Sequence, residues 1–271
     1  FVIYGSTNGV SISKLLMSGM LPGILTAVVL CVYGYVVAKK ENFPKSFDQF
    51  SLGRVFKSLK GAIWALMMPL IILGGIYGGI FPPTESAMIA CAYGLIVSFF
   101  VTKELTVRNF MDVVSKTAAS TANVTVMFLA AQVFGFLIAY YDITTTIANF
   151  FVAVSPNWII FMGLVFILLT ITGMFMEVGA TNVILSPLLA PVAAAFGIDP
   201  IHFGVLSTVN LAIGQVTPPV GVNLFVACNV ANAKLEQICK GIVPILGVMI
   251  LDLLLITYWE PLSMFLPNLM Y

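Results

Sequence analysis

Between Ile201 and Ala231 the chain is apolar enough and long enough to cross a bilayer, yet Pro218 and Pro219 stand side by side within it. Two adjacent prolines remove two backbone donors and clash with the preceding turn, so one continuous helix cannot pass through. In hydrocarbon every freed carbonyl or amide must find a partner, and lipid offers none. A broken spanning helix therefore survives only where the gap faces protein or a water-filled cavity, as in the binding sites of transporters. The alternative is a packing kink. Gly214, Gln215, Thr217 and Asn223 crowd the break with polar and small residues, and they favour a binding role.

The rest of the chain is consistent with a membrane environment. Apolar residues make up 60% of its 271 residues, charged ones 8%, and the mean hydropathy is +1.07, whereas a soluble domain carries about 25% charged residues. The apolar runs reach the roughly 20 residues that a spanning helix needs, and alternating strand patterns are absent. An all-α integral membrane protein is expected. A net charge of +1 without a basic cluster outside the inter-span loops excludes a nucleic-acid partner. The four cysteines are scattered with neither metal-ligand nor disulfide spacing. No nucleophile has a base beside it and no metal-binding histidine pair occurs, so the chain does not read as an enzyme.

In order, residues 1–13 read as the tail of a span and a polar turn. Met20 to Ala38 is a span, a basic loop with Pro44, Lys45, Arg54 and Lys57 runs through Lys60, and Ala62 to Phe81 is the next span. After the turn Pro82-Pro83-Thr84-Glu85-Ser86, Ala87 to Val101 crosses back to a charged segment around 102–118 that has the look of a short surface helix. Thr121 to Tyr140 spans again, and Asp142 onward is too short to cross and reads as interfacial. Trp158 to Ala195 reads as two apolar arms of about 14 residues, each below a full crossing. The polar tip Thr172–Asn182 joins them, which predicts a re-entrant hairpin. The broken helix follows, then a last span from Ile242 to about Trp259.

Lys and Arg collect on the cytoplasmic side of membrane proteins. With the 39–60 loop inside, eleven of the twelve basic residues fall inside and Lys14 alone falls outside. Sliding the chain on itself by 222 positions lays Gly19-Met20-Leu21-Pro22 on Gly241-Ile242-Val243-Pro244 without a gap. Lys14 is then outside and its counterpart Glu236 inside, the relation that an inverted-topology repeat predicts. Because the chain starts at Phe1 inside a helix-like run, a first break is expected upstream of it.

A sodium ion requires several oxygen ligands, which unwound backbone and Ser, Thr or Asn side chains supply. The tip offers Gly173, Thr181 and Asn182; the break offers Gly214, Thr217 and Asn223. Helix starts near Gly179 and Pro219 would turn partial positive charge toward an anionic substrate. Alternatively these residues only fill turns. Three acids lie at membrane depth or its edge, where an ionisable group is a functional hypothesis by default. Glu177 sits at the tip, as a tuner of the cation site or the gate. Glu85 is read first as a helix cap. Asp252, among leucines in the last span, either pairs with another helix or is protonated. His202 reads as interfacial and not as a ligand. A channel and an intramembrane enzyme are the other readings, but neither calls for a hairpin facing a broken helix in inverted copies.

Two stretches resemble the large membrane subunit of TRAP (tripartite ATP-independent periplasmic) transporters. They are Ile72-Leu-Gly-Gly-Ile-Tyr-Gly-Gly-Ile-Phe-Pro-Pro-Thr-Glu-Ser-Ala87, and Phe196-Gly-Ile-Asp-Pro-Ile-His-Phe-Gly-Val205 running into Asn210-Leu-Ala-Ile-Gly-Gln-Val-Thr-Pro-Pro-Val-Gly221. The resemblance extends over the whole chain, as the C-terminal part of that subunit. Family members usually have Thr in place of Pro82, and often Asp in place of Glu177.

The resemblance implies an inverted-repeat, elevator-type transporter with a re-entrant hairpin and a broken transmembrane helix. It implies sodium coupling, a periplasmic substrate-binding protein that delivers an organic acid, and a small membrane subunit bracing the scaffold in a bacterial inner membrane. Sialic acid is favoured slightly over C4-dicarboxylates and other sugar acids. Residues 1–19 would end the first-repeat broken helix, and 20–60 would be a span with its cytoplasmic connector. Scaffold spans and interfacial helices would fill 61–156, the moving region 157–232, and a last span 233–271 with a periplasmic C-terminus. The implied sodium site comprises Gly173, Glu177, Gly179, Thr181, Asn182, Gly214, Val216, Thr217 and Pro218. Thr217, Pro219, Asn223, Ser6 and Asn8 would face the substrate.

Overall fold

A computed structural model describes residues 1–42, 52–155 and 157–270. Pro44 and Lys45 of the basic loop lie outside the described residues. All regular structure among the described residues is helical. Six helical stretches, Ile12–Lys40, Leu52–Tyr77, Pro83–Val101, Trp158–Phe175, Val178–Ala195 and Leu235–Tyr258, are long and apolar enough to cross a membrane. The chain is an all-α, multi-pass membrane protein.

Its residues group into two compact units, one of 1–40 with 126–271 and one of 41–125. The second unit contains α4 (Leu52–Tyr77), α5 (Pro83–Ile96), a π-helical turn Val97–Val101 and the first part of α6 (Val107–Tyr140). Helices α4 and α5 form an antiparallel pair. The Tyr93 hydroxyl donates to the Trp64 carbonyl at 2.8 Å, and Gly75 lies where an added Cβ would come within 3.0 Å of the Ser86 hydroxyl. Between them Ile80 and Phe81 both donate to the Gly75 carbonyl, closing the turn. Glu85 stands in the first turn of α5, where a carboxylate meets the positive helix end.

The charged 102–118 stretch does not form a separate surface helix. It opens α6, which runs 34 residues to Tyr140. Neither Gly nor Pro occurs between Val107 and Phe134 to stop it, and Lys116 and Asp112 pair at 2.7 Å one turn apart, as helical i, i+4 charges do.

In the first unit, α1 (Val2–Asn8), α2 (Ile12–Ser18) and α3 (Met20–Lys40) precede the break at residue 41, and α7 (Ile143–Val154) through α13 (Pro261–Met270) follow α6. The core joins α1, α2, α8 (Trp158–Phe175), α9 (Val178–Ala195) and α10 (Pro200–Gly214), with Tyr4, Leu15, Phe161, Val165 and Phe203 essentially dry. Gly204 makes this possible: a Cβ there would fall 2.5 Å from the Tyr4 ring and 2.7 Å from Leu15. Tyr4 extends past it and donates its hydroxyl to the Pro200 carbonyl at 2.9 Å. Its polar end is satisfied while its ring is buried, as buried tyrosines require.

The internal correspondence read from the sequence recurs in the elements. A short helix, a turn and a long helix follow one another twice, as α1 to α3 and as α11 (Val222–Ala231) to α12 (Leu235–Tyr258). Both short helices end on a left-handed residue, Gly9 at φ 67° and Asn232 at φ 49°. The copies differ at one point: α2 and α3 meet at Gly19, against which the Phe1 ring packs, whereas α12 runs through unbroken.

Candidate functional site at the hairpin tip and the helix break

The hairpin is built differently from the sequence expectation. Its arms α8 and α9 have 18 residues each, about 27 Å at 1.5 Å per residue, and the tip is Met176 and Glu177 alone. Gly173 belongs to the last turn of α8, and Gly179, Thr181 and Asn182 belong to the start of α9. The alternative reading, that these residues only fill turns, does not hold, because all four lie within helix ends. Asn157 caps α8 by accepting from the Ile160 amide at 3.0 Å. Glu177 caps α9, its carboxylate accepting from the Ala180 amide at 3.3 Å.

The break itself is as expected. Helix α10 stops at Gly214, α11 starts at Val222, and the Pro218–Pro219 bond between them is cis. Gly221 takes φ 42°, a region that disfavours a side chain. Its amide donates to the Met174 carbonyl at 3.0 Å, so the break is tied directly to the end of α8. The two helix ends also touch backbone to backbone. A Cβ on Gly214 would lie 2.7 Å from Gly173 Cα, and one on Gly173 would lie 2.9 Å from the Leu211 carbonyl. One turn back, buried Asn210 accepts from the Thr170 hydroxyl at 2.8 Å and donates to the Phe166 carbonyl at 3.0 Å.

Across the gap, Asn223 donates its amide to the Gln215 carbonyl at 3.1 Å, and the two side chains approach at 3.5 Å. The carbonyls of Val216 and Pro218 accept no hydrogen bond from a described residue. The Thr217 hydroxyl donates to the Ile213 carbonyl at 2.7 Å, and the Thr181 hydroxyl to the Glu177 carbonyl at 3.0 Å. Both hydroxyl protons are thereby turned into their own helices, leaving oxygen lone pairs free to accept. Thr181 and Asn182 are buried, Thr217 is half-buried, and Pro219, Asn223 and Glu177 are exposed. Hard oxygen donors of this kind suit a monovalent cation.

The two helix starts are not equivalent. That of α9 already holds the Glu177 carboxylate on its Ala180 amide. That of α11 has no side-chain cap; its Gly221, Asn223 and Leu224 amides donate to the Met174, Gln215 and Gly221 carbonyls.

Helix α1 lies along α9. Ile3 packs over Gly179, and the Asn8 side chain donates to the Ser186 hydroxyl at 2.8 Å and to the Tyr4 carbonyl at 2.9 Å. Asn8 is thus engaged in holding α1 to α9, while Ser6 is exposed on α1. His202 is buried within the protein, and its ring nitrogens meet the Ser263 hydroxyl at 2.6 Å and the Thr257 carbonyl at 3.2 Å. A cavity of about 400 Å³ beside it opens at the Trp158 end of α8, a full helix length from the tip. Met174, Gln215 and Gly221 complete the tip-to-break contact. Gln215 and Gly221 stood in the run that opened the sequence reading, but only the fold reveals their bonds.

The chain matches the model of the tripartite ATP-independent periplasmic transporter DctM component over residues 1–262. It belongs to the TRAP transporter large-permease family. It is 44% identical over 98% of its length to the isethionate TRAP transporter permease protein DctMQ of Oleidesulfovibrio alaskensis, of which it covers 42%. It is 37% identical over 99% of its length to the sialic acid TRAP transporter permease protein SiaT of Haemophilus influenzae, covering 44%. To the C4-dicarboxylate TRAP transporter large permease protein DctM of Rhodobacter capsulatus it is 35% identical over 97%, covering 60%. The chain thus spans less than two thirds of the length of these TRAP permeases.

Proposed function

We propose that this chain forms part of the membrane permease of a sodium-coupled TRAP transporter that imports a small organic anion across a bacterial inner membrane. The observation that carries the proposal is the bond from Gly221 to the Met174 carbonyl, which locks a broken helix to a hairpin tip in a chain of this family. Around that bond lie Gly173, Gly214, Val216, Thr217 and Pro218, with Thr181 and Asn182 at the start of α9. Their carbonyl, hydroxyl and amide oxygens are the proposed sodium ligands, together with the Glu177 and Gly179 backbone.

The start of α11, which has no side-chain cap, with Thr217, Pro219 and Asn223 beside it, is the proposed anion-facing surface, to which Ser6 of α1 contributes, whereas both Asn8 side-chain donors are already used. Relatives are named for isethionate, sialic acid, C4-dicarboxylate and 2,3-diketo-L-gulonate. An anionic head group is common chemistry for all four, and the positive end of a helix favours such a group without regard to its carbon skeleton. In this reading residues 157–232 move as an elevator, residues 61–101 belong to the scaffold, and the C-terminus is periplasmic. A small membrane subunit and a periplasmic binding protein complete the system.

The test is uptake in proteoliposomes holding the complete transporter, with isethionate, sialic acid and succinate offered in turn. Accumulation that requires both an inward sodium gradient and the cognate binding protein is expected for one of them. Uptake or current that proceeds equally without the binding protein would refute the reading.

A further inference from the structure

Asp252 lies on α12, six residues short of its end at Tyr258, about 9 Å along the axis. It is 5% exposed. Its Oδ2 lies within hydrogen-bond distance of the Thr26 hydroxyl on α3, and its Oδ1 has no partner. The Thr26 hydroxyl is also 2.9 Å from the Pro22 carbonyl.

These contacts set a proton count. A hydroxyl carries one proton. The Pro22 carbonyl can only accept, and so can an ionised carboxylate, so with Asp252 ionised one of the two contacts holds no proton. With Asp252 protonated, its O–H donates to Thr26 and Thr26 donates to Pro22, and both contacts are hydrogen bonds. The surroundings agree. The ion pairs Lys116–Asp112 and Lys240–Glu236 are exposed and lie elsewhere. The ionisable groups on elements packed against α12 are Cys31, Tyr33, Tyr35, Lys39 and Lys40 of α3, His202 of α10 and Cys228 of α11. On α12 itself they are Glu236, Cys239, Lys240 and Tyr258, with Lys234 just before it. Asp252 has a hydrogen bond to none of them. An ionised carboxyl in a span with one neutral partner is far costlier than a neutral one with an idle carbonyl oxygen.

We propose that Asp252 is a proton-binding site, neutral at physiological pH, whose bound proton fastens α3 to α12 through Thr26. It lies on neither the tip nor the break, so it stands or falls apart from the sodium reading.

Infrared spectroscopy of the full-length permease in lipid nanodiscs tests it, comparing wild type with Asp252→Asn and Thr26→Val at neutral pH. The wild-type minus Asp252→Asn difference should contain the carbonyl stretch of a protonated carboxylic acid. Thr26→Val should move that band to higher frequency, because its hydrogen bond is gone. Asp252→Asn keeps a donor toward Thr26 and should leave the thermal midpoint near wild type, whereas Asp252→Leu should lower it. A difference spectrum with carboxylate stretches in place of the acid band would overturn the proton site. An acid band unmoved by Thr26→Val would overturn the fastening role, even if the Asp252 variants fail to fold.

Discussion

Gly214→Ala isolates the contact on which the site depends. The added methyl would stand 2.7 Å from Gly173 Cα, 2.8 Å from its carbonyl carbon and 3.0 Å from the Thr170 carbonyl. All three are backbone atoms and none can turn away, so α8 and α10 must separate by about 1 Å to reach ordinary carbon contact. Overpacking of this kind costs about 1–3 kcal/mol, and immovable backbone on every side puts it near 3. Replacing Gly by Ala in a helix returns up to about 1 kcal/mol, which leaves about 2 kcal/mol, roughly a thirtyfold shift in equilibrium. The same separation lengthens the 3.0 Å bond from Gly221 to Met174 beyond hydrogen-bond range. Sodium titration of uptake by the reconstituted transporter is the assay, and the half-saturating sodium concentration should rise, by at most about that factor, reached when the whole cost falls on the sodium-bound state. Gly163→Ala on α8 is the control, since its methyl would meet only the Tyr258 hydroxyl at 3.4 Å. If both variants titrate alike, close backbone apposition is not what forms the site.

Other perturbations follow from single contacts. Glu177→Ala removes the α9 cap and should lower stability by about 1 kcal/mol. Glu177→Asp, whose shorter side chain is also a good cap, should restore most of it, and thermal unfolding of the purified permease reads both. Tyr4→Phe removes the bond to the Pro200 carbonyl and leaves the ring packed, so it should cost about 1 kcal/mol of stability without changing the sodium titration. Gly204→Ala, by contrast, drives a methyl into the Tyr4 ring and Leu15, and should lower the yield of folded protein in a fluorescence-detected chromatogram.

How legible each feature was depends on the range of the physics behind it. The break at Pro218 and Pro219 was readable because missing donors act within a turn, and the apolar runs because hydrocarbon thickness sets their length. The hairpin tip was read too long. Thr172, Gly173, Thr181 and Asn182 are poor interior helix formers taken alone, yet α8 and α9 extend through them because packing and the Glu177 cap outweigh propensity. Helix α6 was divided for a similar reason, its charges suggesting a surface piece where i, i+4 pairing keeps the helix intact. The burial of His202 could not be read beside Asp199 and Pro200, because its partners Thr257 and Ser263 lie more than fifty residues on. The apposition of Gly173 to Gly214 and the bond from Gly221 to Met174 are tertiary contacts that no local pattern announces.

Sodium dependence of uptake by the Asn182→Ala, Thr217→Ala double variant in the complete, reconstituted transporter tests the proposed site most directly. The account predicts that it inserts at normal levels and requires much more sodium than wild type for half-maximal uptake. A sodium titration superimposable on wild type, at equal protein in the vesicles, would contradict it.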